Sequence, residues 1–252
     1  MYKGIKQKIV CTIEARMTSS RLPGKVLLPL AGKPSLERLI ERIRRSDYVD
    51  DIVVATTTNA ADQPIIDLCE QMACAYFRGS EEDVLSRVLE AAKSKNGDLI
   101  VEITGDCPLI DHRHIDRVIE LFYSGNYDYA SNTIERSFPD GFDVQVFPVR
   151  VLEDVNVLTQ DPIDRVHVSL YIYSHQERYR LANWKAEGDM FWPELGITLD
   201  EKEDYVLLDQ IFKELLPISE DFYAEDIVTL LRKRPDLINI NSTVRRKAPE
   251  EG

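Results

Sequence analysis

Between Arg16 and Lys25 the chain places three cations, Arg16, Arg21 and Lys25, among the hydroxyls of Thr18, Ser19 and Ser20, in the stretch "ARMTSSRLPGK" that Ala15 opens. Backbone N–H groups in a turn, joined by such side chains, make a concave surface rich in donors. A polyphosphate is the ligand that calls for so many donors in so small a space. The stretch matches neither the Walker pattern G-x-x-x-x-G-K-S/T nor the dinucleotide fingerprint G-x-G-x-x-G. A solvated loop with scattered charges has the same composition, because Lys and Arg are common on loops.

Two carboxylates are the next candidates. "ITGDCPLID" places Asp106 just past an apolar run, where a carboxylate can hold Mg²⁺ against a phosphate; a turn or capping Asp would look the same. Asp111 directly precedes "HRHIDRVIELF" and reads as a helix cap. "GITLDEKEDYVLL" places Asp200 at the end of a strand-like run, as a second metal ligand or as the cap of the next helix, with Glu203 three residues on completing a capping box. The histidines are weaker candidates: His112 and His114 flank a helix start and are expected to be exposed, His175 sits near a helix end, and His167 has Asp164 and Arg165 close by.

The elements that must position these groups follow from periodicity. "KIVCTIEA", "DDIVVATTT" and "DLIVEITGD" are short, apolar and β-branched, the pattern of buried strands, and "CAYFRG" is a shorter one. Between them "SLERLIERIRRS", with Ser35 as its cap, "ADQPIIDLCEQMA", "EEDVLSRVLEAAKSKN" and "DHRHIDRVIELFYSG" repeat apolar residues at helical spacing. Strands alternating with helices imply a mainly parallel α/β sheet covered on both faces, with ligands beyond the carboxyl ends of the strands. From Tyr127 to about Leu195 the alternation breaks into strand-like pieces, "YDYASNT", "DVQVFPV" and "YRLANWKA", around the helices "VRVLEDVNVL" and "IDRVHVSLYIYSH". "GITLDEKEDYVLLDQIFKELL" returns to strand, turn and helix. This gives a single domain over 1–240 with a mixed insertion at 133–195, and a mobile tail over 241–252.

The 252 residues carry a net charge of −13, which argues against a general nucleic-acid binder and makes a local basic cluster more informative. Four cysteines, none in a C-x-x-C pair, give no disulfide or zinc framework. The short apolar stretch near the start is neither a signal peptide nor a membrane span, so a cytoplasmic protein without membrane contact is expected.

Taken in order, "IEARMTSSRLPGKVLLPLAGKPSLERLIERI", "VVATTTN", "FRGSEEDVLSRV", "ITGDCPLID", "YASNT", "FPDGFDVQVF" and "LDEKEDYVLL" resemble the sugar-activating cytidylyltransferases that make CMP-sialic acids and CMP-Kdo, and more closely the spore coat polysaccharide biosynthesis protein F family. The resemblance spans about Lys8 to Leu216. It implies a Rossmann-like three-layer α/β/α nucleotide-diphospho-sugar transferase fold. It also implies transfer of a nucleotidyl group from CTP to the hydroxyl of an acidic or modified sugar, for surface glycan synthesis, with Mg²⁺ as cofactor and pyrophosphate as product. By analogy Arg16, Ser20, Arg21 and Lys25 hold the triphosphate, while Ala55, Thr56, Thr57, Arg78 and Ser80 surround base and ribose. Asp106 and Asp200 bind the metal. Asn132, Asp140, Gly141, Asp143, Arg165 and His167 face the acceptor. A homodimer through the insertion is implied as well, with Phe138, Phe142, Val144, Val146 and Phe147 offering an apolar contact unless they pack inside their own subunit.

The chain departs from these relatives at Glu14, where Gln is usual, at Thr18, where Gly or Ser is usual, at "RVHVSL" in place of "REHVTP", and at "GITLDEKED". The departures gather mostly on the acceptor side and point to an unusual acceptor or reduced activity. The competing expectations are the same transfer from GTP or UTP, a glycosyltransferase using a nucleotide-sugar donor, and nucleotide binding without turnover.

Overall fold

A computed structural model describes residues 7–246. The first strand, β1 (Ile9–Glu14), alternates its side chains: Cys11 and Ile13 enter one apolar layer, and Val10 enters the other. A two-residue hairpin, β2 (Pro29–Leu30) and β3 (Lys33–Pro34), leads into α1 (Ser35–Ile43). There follow β4 (Asp51–Thr57), α2 (Gln63–Gln71), β5 (Ala75–Gly79), α3 (Val84–Lys93), β6 (Leu99–Thr104) and α4 (His112–Ser124). The second half holds β7 (Tyr129–Ser131), β8 (Gln145–Pro148), α5 (Val149–Leu158), α6 (Pro162–Val166), α7 (Leu170–Ser174) and β9 (Leu181–Asn183), then α8 (Lys202–Leu215), α9 (Ala224–Lys233) and α10 (Pro235–Ile238).

Seven strands form one sheet in the order β5-β4-β1-β6-β8-β7-β9. β5, β4, β1 and β6 run parallel, so their carboxyl ends share one edge; β8 is antiparallel to both β6 and β7. Helices α1, α2 and α4 bury Leu36, Ile40, Ile65, Val118 and their neighbours against one face, and α3, α5 and α7 cover the other. This is the three-layer α/β/α arrangement that strand–helix alternation implies. A third apolar cluster joins α8 and α9 to Leu30, Leu109, Ile197 and Leu199. Among the described residues, no helix is long and apolar enough to cross a membrane.

Several local expectations are corrected. Ser35 is the first helical residue of α1 rather than its cap; Pro34, extended at ψ 141°, holds that position. The run Gly196–Leu199 is not a strand of the sheet. Its only β-bridge among the described residues is the isolated one of Gly196 with Asp140, because its backbone partners are loops. Glu201, not Asp200, caps α8, in a capping box closed by Asp204. His114 is buried rather than exposed, edge-on to Phe138, Phe142 and Trp184, and burial pushes its pKa down to about 4. Phe138, Phe142, Val144, Val146 and Phe147 all pack inside their own subunit. Of the expected mobile tail, 247–252 lies outside the described residues; Arg246, just before it, is held by Asp204.

Candidate active site

β1 delivers the basic stretch to the carboxyl edge of the sheet, and β4 and β6 hold it there. The Gly105 N–H donates to Glu14 O at 2.9 Å, and a Cβ on Gly105 would stand 2.5 Å from that same oxygen. Only glycine lets the exit of β6 lie so close to the end of β1. On the other side Asp62 accepts the Met17 N–H at 2.7 Å, and its second oxygen accepts from the Thr57 N–H and both the Thr56 and Thr57 hydroxyls. The Gly24 N–H closes the loop onto Met17 O at 2.9 Å, and Lys25 follows at the start of a short 3₁₀ turn, Lys25–Leu27.

The late segment reaches the same place through backbone bonds. Ile197 N–H donates to Asp140 O at 2.7 Å and Leu199 N–H to Asp106 O at 2.8 Å, which sets Asp200 beside Asp106. Lys25 Nζ then lies 2.9 Å from Asp106 Oδ2 and 3.0 Å from Asp200 Oδ1, bridging two carboxylates that are far apart in sequence. Arg21 Nη2 reaches Asp200 Oδ1 at 2.8 Å. The remaining oxygens accept from hydroxyls, Asp106 Oδ1 from Thr104 at 2.6 Å and Asp200 Oδ2 from Thr198 at 2.9 Å. Burial alone would raise the Asp106 pKa; Lys25 and Thr104 outweigh it and hold the carboxyl at about 2. Burial lowers the Lys25 pKa, and the two aspartates more than reverse that, so the ammonium stays charged.

These groups stand at one end of a cavity of about 690 Å³ that also runs over the sheet face beneath α6 and α7. Ala15, Arg16, Ser19, Ser20, Arg21, Lys25, Asp106, Asp140, Asp143, His167 and Asp200 all line it. Arg136 spans Asp143 and Asp140 on one wall, with its Nη2 2.7 Å from Asp143. Burial and the Asp143 charge push Asp140 up to about 6, against the pull of Arg136. Sequence reasoning missed Arg87, Glu102, Thr104, Arg136 and Arg246, which line the cavity as well. Glu102 carried a signal, an acid inside an otherwise apolar strand; the cations did not stand out from surface charge.

Other expected site residues are engaged elsewhere. Ala55 is buried in β4, and Thr56 and Thr57 spend their hydroxyls on Asp62. Arg78 binds the carbonyls of Thr57 and Asn59, and the Ser80 hydroxyl accepts the Asp83 N–H ahead of α3. Asn132 is buried and clamps Phe142 O and Val144 N. Gly141, at φ 121°, fits where a Cβ would meet Ile197 at 2.9 Å. Arg165 ties α6 to Asp83 and to Asn156 O. Arg16 itself faces Glu81 at 3.1 Å at the cavity rim.

Known proteins are similar to this chain along most of its length. A protein of Methanocaldococcus jannaschii described as uncharacterized is 36% identical over 244 residues, covering 97% of this chain and 98% of its own. The spore coat polysaccharide biosynthesis protein SpsF of Bacillus subtilis is 32% identical over 233 residues, covering 90% and 95%. The solved structure of a cytidylyltransferase from Leptospira borgpetersenii superposes with a TM-score of 0.87 at 30% identity, covering 96% of this chain and all of that one. The family described as Cytidylyltransferase matches residues 10–233, and the chain belongs to that family.

Proposed function

We propose that the protein transfers the cytidylyl group of CTP to the hydroxyl of an acidic or modified sugar and releases pyrophosphate, in the cytoplasm and for surface glycan synthesis. The observation that carries this reading is the Lys25 ammonium held between Asp106 and Asp200 at the carboxyl edge of the sheet, with Arg21 on the same carboxylate. Transfer at a phosphorus centre needs in-line positioning and neutralised charge rather than a covalent nucleophile. Lys25, Arg21 and Arg16 bind and orient the phosphate oxygens, and Ser19 and Ser20 add donors around them.

Two hard carboxylate oxygens that already share one cation fit Mg²⁺, which takes one or two protein carboxylates and fills its remaining positions with water and phosphate oxygens. Asp106 and Asp200 would hold it, and when bound it would supply charge neutralisation on the phosphates. Lys25 would then turn from the carboxylates to the nucleotide.

The test is a thermal-shift series with CTP, GTP, UTP and ATP, each with Mg²⁺, followed by pyrophosphate release with candidate sugars. A rise in melting temperature with CTP above the other three supports the reading, because a ligand that binds only the folded state stabilises it. Equal or greater stabilisation by GTP or UTP overturns the base assignment. Release of free nucleotide from a nucleotide-sugar donor, without pyrophosphate from CTP, makes the protein a glycosyltransferase. A homodimer belongs to the same proposal. With the phenylalanines of the insertion internal, its apolar contact falls to Val157, Leu158, Ile163 and Val166, which are exposed around α5 and α6. Sedimentation of Val157→Asp as a monomer where the parent is a dimer supports that surface; an unchanged dimer rules it out.

A further inference from the structure

β1 and β6 each place a glutamate on the sheet face under α3 and α7, in the same cavity as the Lys25 cluster but without a place in its hydrogen bonds. Glu102 is 4% exposed; Thr12, which pairs with it in register, is fully buried, and Glu14 stands two residues further along β1. Glu14 Oε1, Glu102 Oε2 and Thr12 Oγ1 have no hydrogen-bond partner among the described residues, and neither does the Nε of Arg87, itself 3% exposed, across the chamber on α3. Among the described residues, neither glutamate has a cation within 4.0 Å, and the Arg87 guanidinium is turned to the carbonyls of Ser80 and Glu81.

Buried polar atoms are nearly always paired, and buried charges are paired or neutralised. Here several orphans open into one cavity. When both glutamates are ionised, two carboxylates stand against one guanidinium, and the chamber is one positive charge short. A sugar hydroxyl would donate to one oxygen and leave that charge unanswered, and a sugar carboxylate would add a third negative group. A primary ammonium supplies three donors for the orphaned oxygens and the missing charge; it leaves the Arg87 Nε–H, itself a donor, to water. Glu14 stands level with Thr104, the last residue of β6 and two before Asp106, and Glu102 lies about 7 Å back from Thr104 along the strand, at about 3.3 Å per residue. A group bound between them belongs to the same small molecule as a hydroxyl reacting near Asp106.

We infer that Glu14 and Glu102 form a subsite for a basic nitrogen on the acceptor, so that the modified sugar this protein activates carries a free amine. The inference rests on the proposed transfer for its place in the reaction, and its test does not depend on turnover. In protein labelled with ¹³C at the glutamate carboxyls, the Glu14 and Glu102 resonances are assigned with Glu14→Gln and Glu102→Gln. The whole protein is then titrated with ethanolamine, ethylene glycol and N-acetylethanolamine, with and without Mg²⁺ and CTP.

Ethanolamine is expected to shift both resonances saturably and to bind at least about tenfold more tightly than either neutral probe, the preference of a charge-assisted over a neutral contact. Each Gln substitution is expected to remove that preference, and the remaining glutamate resonance shows the variant still folded. Unmoved resonances, equal shifts from ethylene glycol, or a preference that survives both substitutions overturn the subsite and leave the chamber to ordered water. Stabilisation by CTP without an amine response would sink this inference alone; an amine response without stabilisation by CTP would sink the nucleotide reading alone.

Discussion

At the loop end of the cavity Asp106 and Asp200 are answered by Lys25, Arg21, Arg246 and two threonine hydroxyls, whereas under α7 Glu14 and Glu102 share a chamber with one guanidinium that pairs with neither. The same low-dielectric surroundings act on both pairs in opposite directions. Asp106 is held at about 2, while burial, with the Asp106 charge adding to it and Arg87 opposing, pushes Glu14 up to about 7. Burial and the neighbouring Glu14 charge push Glu102 up as well. Carboxylates at one edge of one sheet thus differ by whether their counter-charges are built into the protein. The loop end is preorganised, and the chamber is incomplete without a guest.

The largest expected effect breaks the preorganised end. Lys25→Ala removes the cation common to both aspartates, and pyrophosphate release from CTP should fall by about a hundredfold or more, the usual cost of losing one electrostatic contact to a transferring group. CTP-dependent stabilisation should fall with it. A Lys25→Ala enzyme within a factor of a few of the parent would show that the bridge is structural only.

The chamber should respond in the other direction. Glu14→Gln and Glu102→Gln each remove an acid whose ionised form the chamber disfavours and no cation answers, so each should raise the melting temperature of the free protein, by about 2–4 °C per kcal/mol for a chain of this size. The sign with pH follows from linkage. Glu14 rises from 4.5 to about 7 on folding, so between those values the folded state holds more protons than the unfolded one. Its contribution is therefore most favourable below pH 4.5 and is lost as pH rises through about 7. The gain from Glu14→Gln should be larger at pH 8 than at pH 5; a gain independent of pH, or a loss at pH 8, would mean that the carboxylate has a partner in solution.

A smaller effect belongs to the late contact. Arg246 binds the fully buried Asp204 at 2.7 Å, which Asn241 and the backbone N–H groups of Asp200 and Glu201 also satisfy. Because those partners remain and the arginine is partly exposed, Arg246→Ala should cost about 1–2 kcal/mol by urea unfolding. No loss at all would show that Asn241 and the backbone suffice.

How legible this was in the sequence follows from the distance over which each interaction is encoded. The parallel half of the sheet is written in local periodicity, and Arg21, Lys25 and Asp106 lie in the segments that follow strand ends, where the fold rule directs attention. Asp200 could be placed at the site only by analogy, because "GITL" reads as a strand and is in fact stitched to loop carbonyls. Thr56 and Thr57 looked available at a strand end, yet Asp62 takes both hydroxyls to anchor the loop at Met17. Arg87 and Arg246 are indistinguishable in sequence from surface cations, since burial by partners distant in the chain leaves no local pattern. Glu14 did stand out as a departure. Its partner in the chamber, Glu102, is diagonal to it across two strands, a relation set by register.

The smallest effect sharpens the comparison at the rim. Glu81 pairs with Arg16 at 3.1 Å and also accepts from Thr18 and Asn59, with its side chain about one third exposed. An exposed pair of this kind contributes little to stability, so Glu81→Gln should change unfolding free energy by less than about 1 kcal/mol. What it changes is availability. Arg16 loses a competing carboxylate and is free for the phosphates, and CTP should bind a few-fold more tightly at low ionic strength. Over roughly 10 Å in 0.1 M salt such a term is screened, so the gain should shrink as salt is added. Tighter binding that persists at high salt would place Glu81 against the nucleotide itself, and weaker binding would make Glu81 the group that holds Arg16 in its working position.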